Sequence, residues 1–296
     1  QGLRSIELGT FRVRDRVDLI FSGDGTGRSM GFLDKERAGV LDIQTCPLMT
    51  EALAKWFEAV RKIVFPIKRG SLRLRVGPQR EGERLHGIWL DFANEDIRDL
   101  LAEESLLRNL MALAVVEIGQ KRKRLRDVGG KLKLTDPEAL PWFETVGAGK
   151  TEDLYSFVGG FTQVGFLANQ ALVSEVTNLV KKTEAKRALE LGCGVGNFTM
   201  GLASQLESLV AVEVDRLALQ ALDKNLLSLG ALTAKVQVVR ADFLRLSGAR
   251  DLFQGVDLIL ADPPRTGLGG KSGHRSETFL DLLSGVSDKP KHFIYV

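Results

Sequence analysis

The apolar and polar positions of the chain fall into two textures. Residues 11–21 open with a period of two, which predicts a strand with Arg12, Arg14 and Arg16 on one face and Phe11 and Val13 on the other. A glycine-rich stretch at 22–29 reads as a hairpin loop, with residues 30–33 as the returning strand and residues 40–43 as another short strand. Leu53, Trp56, Phe57, Val60 and Ile63 recur at helical spacing, so residues 49–64 are expected to form a core-facing helix. Residues 71–76 and 85–92 read as strands, and residues 97–118 have helical texture. The basic run 121–126 is then read either as a surface run near a helix C-terminus, where cations are favoured by the dipole, or as an RNA contact. The arginines of residues 12–16 are read either as a solvated sheet face or as phosphate contacts.

After residue 154 the texture changes. A glycine-rich connection at 157–165 leads to an amphipathic helix over 169–179, and apolar strands then alternate with helices. The strands are read at 188–191, 209–214, 236–239, 257–261 and 292–296, with helices at 198–206, 217–229 and 278–283. Repeated βα units predict an α/β, doubly wound parallel sheet with a Rossmann-like layout, with ligands at the carboxyl ends of the strands. The expected organisation is an α+β domain over 1–154 followed by this α/β domain over 155–296.

Composition narrows the picture only a little. At 296 residues, 44% hydrophobic and 27% charged, the chain is long enough for two cores. The formal charge is only +3, so any nucleic-acid binding must come from local placement of Arg and Lys. No apolar run approaches the roughly 18–20 residues of a membrane span and no signal peptide is visible, so a cytoplasmic protein is expected; a monomer is expected separately. The two cysteines, Cys46 and Cys193, cannot make a four-cysteine metal site by themselves.

The chemistry gathers at the strand ends of the second half. Gly192, Gly194 and Gly196 follow the first strand, Glu213 and Asp215 the second, Asp242 the third and Asp262 the fourth. Glycine lets a backbone pass close beneath a ligand, and an acid about 20 residues further on can accept hydrogen bonds from ribose hydroxyls. A dinucleotide fingerprint would need glycine at position 197, where this chain has Asn197. The turn, with Glu190 just before it, suits S-adenosylmethionine instead. Cys193 is read as a small packing residue in the turn rather than a nucleophile. The Asp-Pro-Pro-Arg-Thr-Gly segment at 262–267 has Arg265 where enzymes that methylate exocyclic amines usually carry an aromatic residue, which suggests a different acceptor atom.

These residues resemble the S-adenosylmethionine-dependent RNA 5-methyluridine (uracil-C5) methyltransferases. The resemblance rests on Phe161-Thr-Gln163, the segment 189–199, Glu213, Asn225 and above all residues 262–267, with support from the stretches 11–14, 30–32 and 42–48. It implies that Gln163, Gly192, Gly194, Gly196, Asn197, Glu213, Asp242 and Asp262 line the cofactor site. By the same resemblance Phe161 lies near the target base, Arg12, Arg14 and Arg265 contact RNA (rRNA or tRNA), and Cys46 matches the last ligand of an iron-sulfur cluster that only a more complete protein could hold.

The departures are also informative. Gly165 stands where the family pattern has Asn, and the other cluster cysteines are absent. The family's nucleophilic cysteine follows a strand like residues 293–296, so the stretch is expected to be a fragment, missing both ends, with its nucleophile just after Val296. Two other readings stay open: methylation of an RNA base nitrogen, which needs no cysteine, and a non-catalytic RNA-binding module that retains the cofactor fold.

Overall fold

The computed structural model describes residues 7, 9, 11–23, 28–34, 36, 39–66, 68–92, 97–147, 149–163, 165–242, 250–263, 283–286 and 289–296. The chain divides into two compact units, residues 1–143 with 156–169 and residues 144–155 with 170–296. The division thus differs from a single cut after residue 154.

The first unit contains β1 (Arg16–Gly23), β2 (Arg28–Asp34), β3 (Gly39–Asp42), α1 (Glu51–Arg61), β4 (Arg69–Arg80) and β5 (Glu83–Asp91), then α2 (Ile97–Ala102), α3 (Glu104–Leu113), β6 (Val115–Ile118), β7 (Lys123–Val128) and β8 (Lys131–Thr135). The strands form one sheet in the order β3-β2-β1-β4-β5-β6-β7-β8. Neighbours are antiparallel except β5 and β6, which run parallel. A parallel pair needs a crossover connection, and α2 and α3 supply it.

Alternation along the strands gives the sheet two different faces. Val17, Leu19, Phe21, Leu72, Leu74, Val76, Ile88 and Leu90 form one buried cluster with Leu53, Trp56, Phe57 and Val60 of α1 and with Leu107 and Leu110 of α3. Thr50 caps α1 by accepting from the Leu53 amide at 3.4 Å. The intervening positions on the opposite face carry Arg16, Asp18, Arg73, Arg75, Trp89 and Glu117.

Three expectations for this half are corrected. Residues 11–15 do not extend β1: Arg12 has φ +55°, and the amides of Arg12, Val13 and Arg14 bond the Pro47 and Leu48 carbonyls. These long-range bonds draw the segment away from the β1 ladder, so Arg12, Arg14 and Arg16 do not share one strand face. The helical texture over 97–118 stops at Leu113, and residues 115–118 are β6. The basic run follows that strand rather than a long helix, and Lys123, Arg124 and Arg126 lie in β7, paired with Asp136 or Glu138. Those pairs support a solvated surface for the run.

The hairpin of β9 (Leu140–Gly147) and β10 (Lys150–Ser156) follows. The α/β portion consists of α4 (Phe166–Thr183), β11 (Arg187–Leu191), α5 (Thr199–Leu202), β12 (Ser208–Glu213), α6 (Arg216–Leu227), β13 (Val236–Arg240), β14 (Leu258–Ala261) and β15 (His292–Tyr295). Its five described strands are parallel, in the order β13-β12-β11-β14-β15. This is the Rossmann-like arrangement expected from the sequence.

Successive strand residues feed apolar clusters on either face, which is why these strands read as continuous apolar runs. Ala188, Leu209, Leu258 and Leu260 pack with Val173, Val176 and Val180 of α4. Leu189, Leu191, Val212 and Ile259 pack with Phe253 and Val256. The order reverses between β11 and β14, which places the ligand crevice of the fold at their carboxyl ends. The helix expected over 278–283 lies outside the described residues apart from Leu283.

Gly165, the departure noted above, has a local explanation. A Cβ built there would lie 1.7 Å from the Val13 carbonyl oxygen. Nearby, Asp15 accepts from the Phe166 amide at 3.0 Å and fixes the start of α4. Gly165→Ala should therefore destabilise the protein by about 1–3 kcal/mol. Urea unfolding would test this, and an unchanged midpoint would contradict the close approach.

Candidate cofactor site and RNA-facing loop

The turn after β11 is built from residues that only glycine can replace easily. Gly192, Gly194 and Gly196 have φ of +76°, +57° and +94°. A Cβ at Gly196 would also meet Leu222 Cδ1 at 2.5 Å. The amides of Gly192 and Cys193 donate to the Val212 carbonyl at 2.9 and 3.0 Å, tying the turn to β12.

Glu213, the last residue of β12, closes the turn. Its Oε2 accepts from the Gly194 amide at 3.0 Å, and its Oε1 accepts from the Val214 and Asp215 amides at 2.8 Å each. Asp215 instead caps α6, accepting from Leu217 and Ala218. It is therefore occupied by the helix that begins beside it.

Glu190 lies fully buried beneath the turn. Thr199 donates to its Oε2 at 2.7 Å, while Oε1 has no hydrogen-bond partner among the described residues. Burial, with the charges of Asp262 and Glu213, raises its pKa to about 7 against the hydrogen bond from Thr199. Asp262 follows β14 and is pushed up to about 6 by burial. Asp242, two residues past β13, is half-buried.

Cys193 packs with Ala211, Leu222 and Leu226. Burial raises its thiol well above the usual range, and Glu190 and Glu213 add to the effect. It is a packing residue, as its sequence context suggests, and its described neighbours are apolar or acidic, the opposite of what a thiolate needs.

Two supporting contacts of this unit were not visible in the sequence. Buried Thr145 of β9 donates to the Asn197 side-chain oxygen at 2.8 Å and to its carbonyl at 3.1 Å. Asn225 of α6, also buried, accepts from the Tyr155 amide at 2.7 Å and donates to the Tyr155 and Val195 carbonyls. The hairpin thus braces the glycine turn. The only sequence signal is a polar residue set at a buried position of an apolar strand or helix.

In the first unit, Phe161 is 67% exposed, and the Arg16 guanidinium lies 5.4 Å from its ring centroid. Gln163 is half-buried on the same loop, Arg12 is exposed and Arg14 is half-buried. Arg16 itself is buried, so it is not a free surface contact. Arg265 lies outside the described residues. Cys46 packs against the first unit's core. Among the described residues no group of three or more His, Cys, Asp or Glu is placed to hold a metal ion. With only two cysteines, Cys46 and Cys193, far apart in sequence, the described residues do not by themselves fit an iron-sulfur cluster.

A family model for ribosomal RNA adenine dimethylase matches residues 161–263, the stretch that contains the glycine turn. The chain is 39% identical over 99% of its length to an uncharacterized RNA methyltransferase of Bdellovibrio bacteriovorus, spanning 73% of that protein. It is 26% identical to the 23S rRNA (uracil(1939)-C(5))-methyltransferase RlmD of Cronobacter sakazakii, with 97% of this chain and 60% of that one covered. The chain thus spans about three fifths of the RlmD protein it matches. Among solved structures, it is similar to the Pyrococcus abyssi tRNA (uracil-54, C5)-methyltransferase in complex with S-adenosyl-L-homocysteine, with a TM-score of 0.54 and 19% identity over 88% of this chain and 62% of that one. That likeness speaks for the fold. With 39% identity to the Bdellovibrio relative over nearly its whole length, the chain belongs to the RNA methyltransferases.

Proposed function

We propose that this chain is the core of an enzyme that transfers a methyl group from S-adenosylmethionine to C5 of a uridine in rRNA or tRNA. The observation that carries the reading is the glycine turn closed on Glu213, with Glu190 and Asp262 at the neighbouring strand ends. In this proposal Gly192, Gly194, Gly196, Asn197, Glu213, Asp242 and Asp262 bind the cofactor in the second unit. Gln163 is a further cofactor contact, Phe161 meets the target base, and Arg12, Arg14 and Arg265 meet RNA.

When bound, S-adenosylmethionine supplies an electrophilic methyl on a sulfonium. Glu213 keeps one lone pair, on Oε2, beyond its three amide bonds, and this suits a ribose hydroxyl. Uracil C5 is too poor a nucleophile to accept a methyl unaided. A thiolate must add to C6 and push electron density onto C5; after transfer a base removes the C5 proton and the thiolate leaves. Cys193 is buried with a raised pKa, and Cys46 packs against an apolar core. The proposed nucleophile is therefore a cysteine outside these residues.

The adenine dimethylase match supports a second reading, methylation of a base nitrogen, but only over 161–263. Incubation of RNA with labelled S-adenosylmethionine and the full-length protein distinguishes the two. Label at uridine C5, lost on mutating a cysteine outside this stretch, is the expected result; label on a base nitrogen would favour the second reading. Binding without transfer would point to a non-catalytic RNA-binding protein. A cytoplasmic location and a monomeric state belong to the same proposal, checked by fractionation and sedimentation.

Two narrower outcomes follow from the carboxylates. Glu213→Ala should weaken S-adenosylmethionine binding by about 1.5–3 kcal/mol, from the loss of a charge-assisted contact, and calorimetry showing unchanged affinity would refute the placement. The second concerns pH. Because the folded pKa of Glu190 is raised from 4.5 to about 7, the native state binds more protons across that window. Its contribution to unfolding free energy is thus lost as pH rises from about 4.5 to about 7. Glu190→Gln should remove this slope, on the order of 3 kcal/mol, so that the variant gains on the wild type toward pH 7. Parallel stability curves for the two proteins across that range would show that Glu190 does not titrate as described.

A further inference from the structure

The charged face of the first unit's sheet has a role that neither the cofactor reading nor the RNA reading assigns. In the β1–β4 ladder Arg16 stands directly opposite Arg75, and Asp18 opposite Arg73. Like charges directly opposite one another are unfavourable, and burying guanidinium groups adds a desolvation cost. Arg75 is 1% exposed and Arg16 5% exposed. A pairing this costly needs a compensating set of acceptors.

Those acceptors are the backbone carbonyls of loop 157–162. Arg75 donates to the Phe157 carbonyl at 2.6 Å and to the Thr162 hydroxyl. Arg16 donates to the Thr162 carbonyl at 2.8 Å. Arg73 donates from one nitrogen to the Gly159 and Gly160 carbonyls at 2.5 and 3.0 Å. Glu117, on β6, complements them by accepting from the Val158 and Gly159 amides at 3.0 and 2.9 Å. Gly159 allows the loop to lie against the sheet, since a Cβ there would meet Trp89 at 2.4 Å.

We infer that Arg16, Arg73, Arg75 and Glu117 are positioning residues that hold loop 157–162 in one conformation and so present Phe161 and Gln163. The inference rests on the proposal that Phe161 and Gln163 serve the target base and the cofactor. The four side chains act through the loop backbone. A loop with two consecutive glycines would otherwise lose more entropy on ordering than most segments. Preorganisation by fixed charged groups moves that cost from substrate binding to folding.

The test uses the full-length protein and hydrogen exchange resolved to the loop. Glu117→Gln replaces one acceptor oxygen with a donor, so the amides of Val158 and Gly159 should exchange about tenfold or more faster. Amides of the core strands, such as Leu72, Leu74 and Ile88, should keep their protection. Arg73→Ala should also loosen the loop, and Arg73→Lys should restore part of its protection because both loop bonds leave a single nitrogen. The loosened variants should lose methyl transfer mainly through a higher KM for RNA, with kcat at saturation less affected, because the ordering cost returns to the binding step. Unchanged loop exchange in Glu117→Gln and Arg73→Ala would overturn the inference, as would an equal rise across the whole sheet. Gln163→Ala separates the underlying reading: unchanged cofactor affinity and transfer in that variant would refute the role of the loop in the reaction while leaving the exchange result intact.

Discussion

Each unit has a carboxylate that accepts from backbone amides of a glycine-containing loop. A tight glycine turn cannot pair all of its own N–H groups, and leaving any unpaired away from water is costly. Glu213 gathers the amides of Gly194, Val214 and Asp215, and Glu117 gathers those of Val158 and Gly159. Charge-assisted bonds of this kind are among the stronger ones available to a protein. They offset the cost of burying the carboxylate while leaving the loop a single geometry.

The carboxylates of the second unit also set its chemistry. Glu190 and Asp262 both have raised pKa values, and Glu213 adds to the crowding at Glu190. A cluster that resists full ionisation favours a cationic ligand, since a nearby positive charge pulls such groups back toward the charged form. The same field makes Cys193 a poor thiolate. Burial and the neighbouring acids both hold its proton, so a site fit for a sulfonium cannot also activate that cysteine.

Much of the second unit was legible because parallel strands buried on both faces read as continuous apolar runs separated by helices. The observed β11 to β14 each begin or end within about a residue of the expected runs. The first unit was harder to read. Residues 115–118 form a short apolar run that periodicity cannot separate from the preceding helix, and their strand character comes from pairing with β5. The hairpin at 140–156 escaped because its bracing contacts, Thr145 to Asn197 and Asn225 to Tyr155, join positions far apart in sequence. For Arg16 the sequence offered a solvated face or a phosphate contact. The structure supplies a third answer, a buried guanidinium bonded to loop carbonyls, which no local pattern could reveal.

Gly165 shows why a departure from a family pattern must be read in three dimensions. Taken alone, the loss of an asparagine side chain suggests a missing polar contact. In the fold the space is taken by the Val13 carbonyl, because the amides of residues 12–14 are drawn to Pro47 and Leu48 instead of extending β1. The segment carrying Phe161 is therefore bounded on one side by charged groups bonded to its backbone and on the other by a backbone contact that tolerates no side chain. Its position is set by packing and hydrogen bonding within the first unit, so substitutions distant from Phe161 in sequence can act on whatever Phe161 meets.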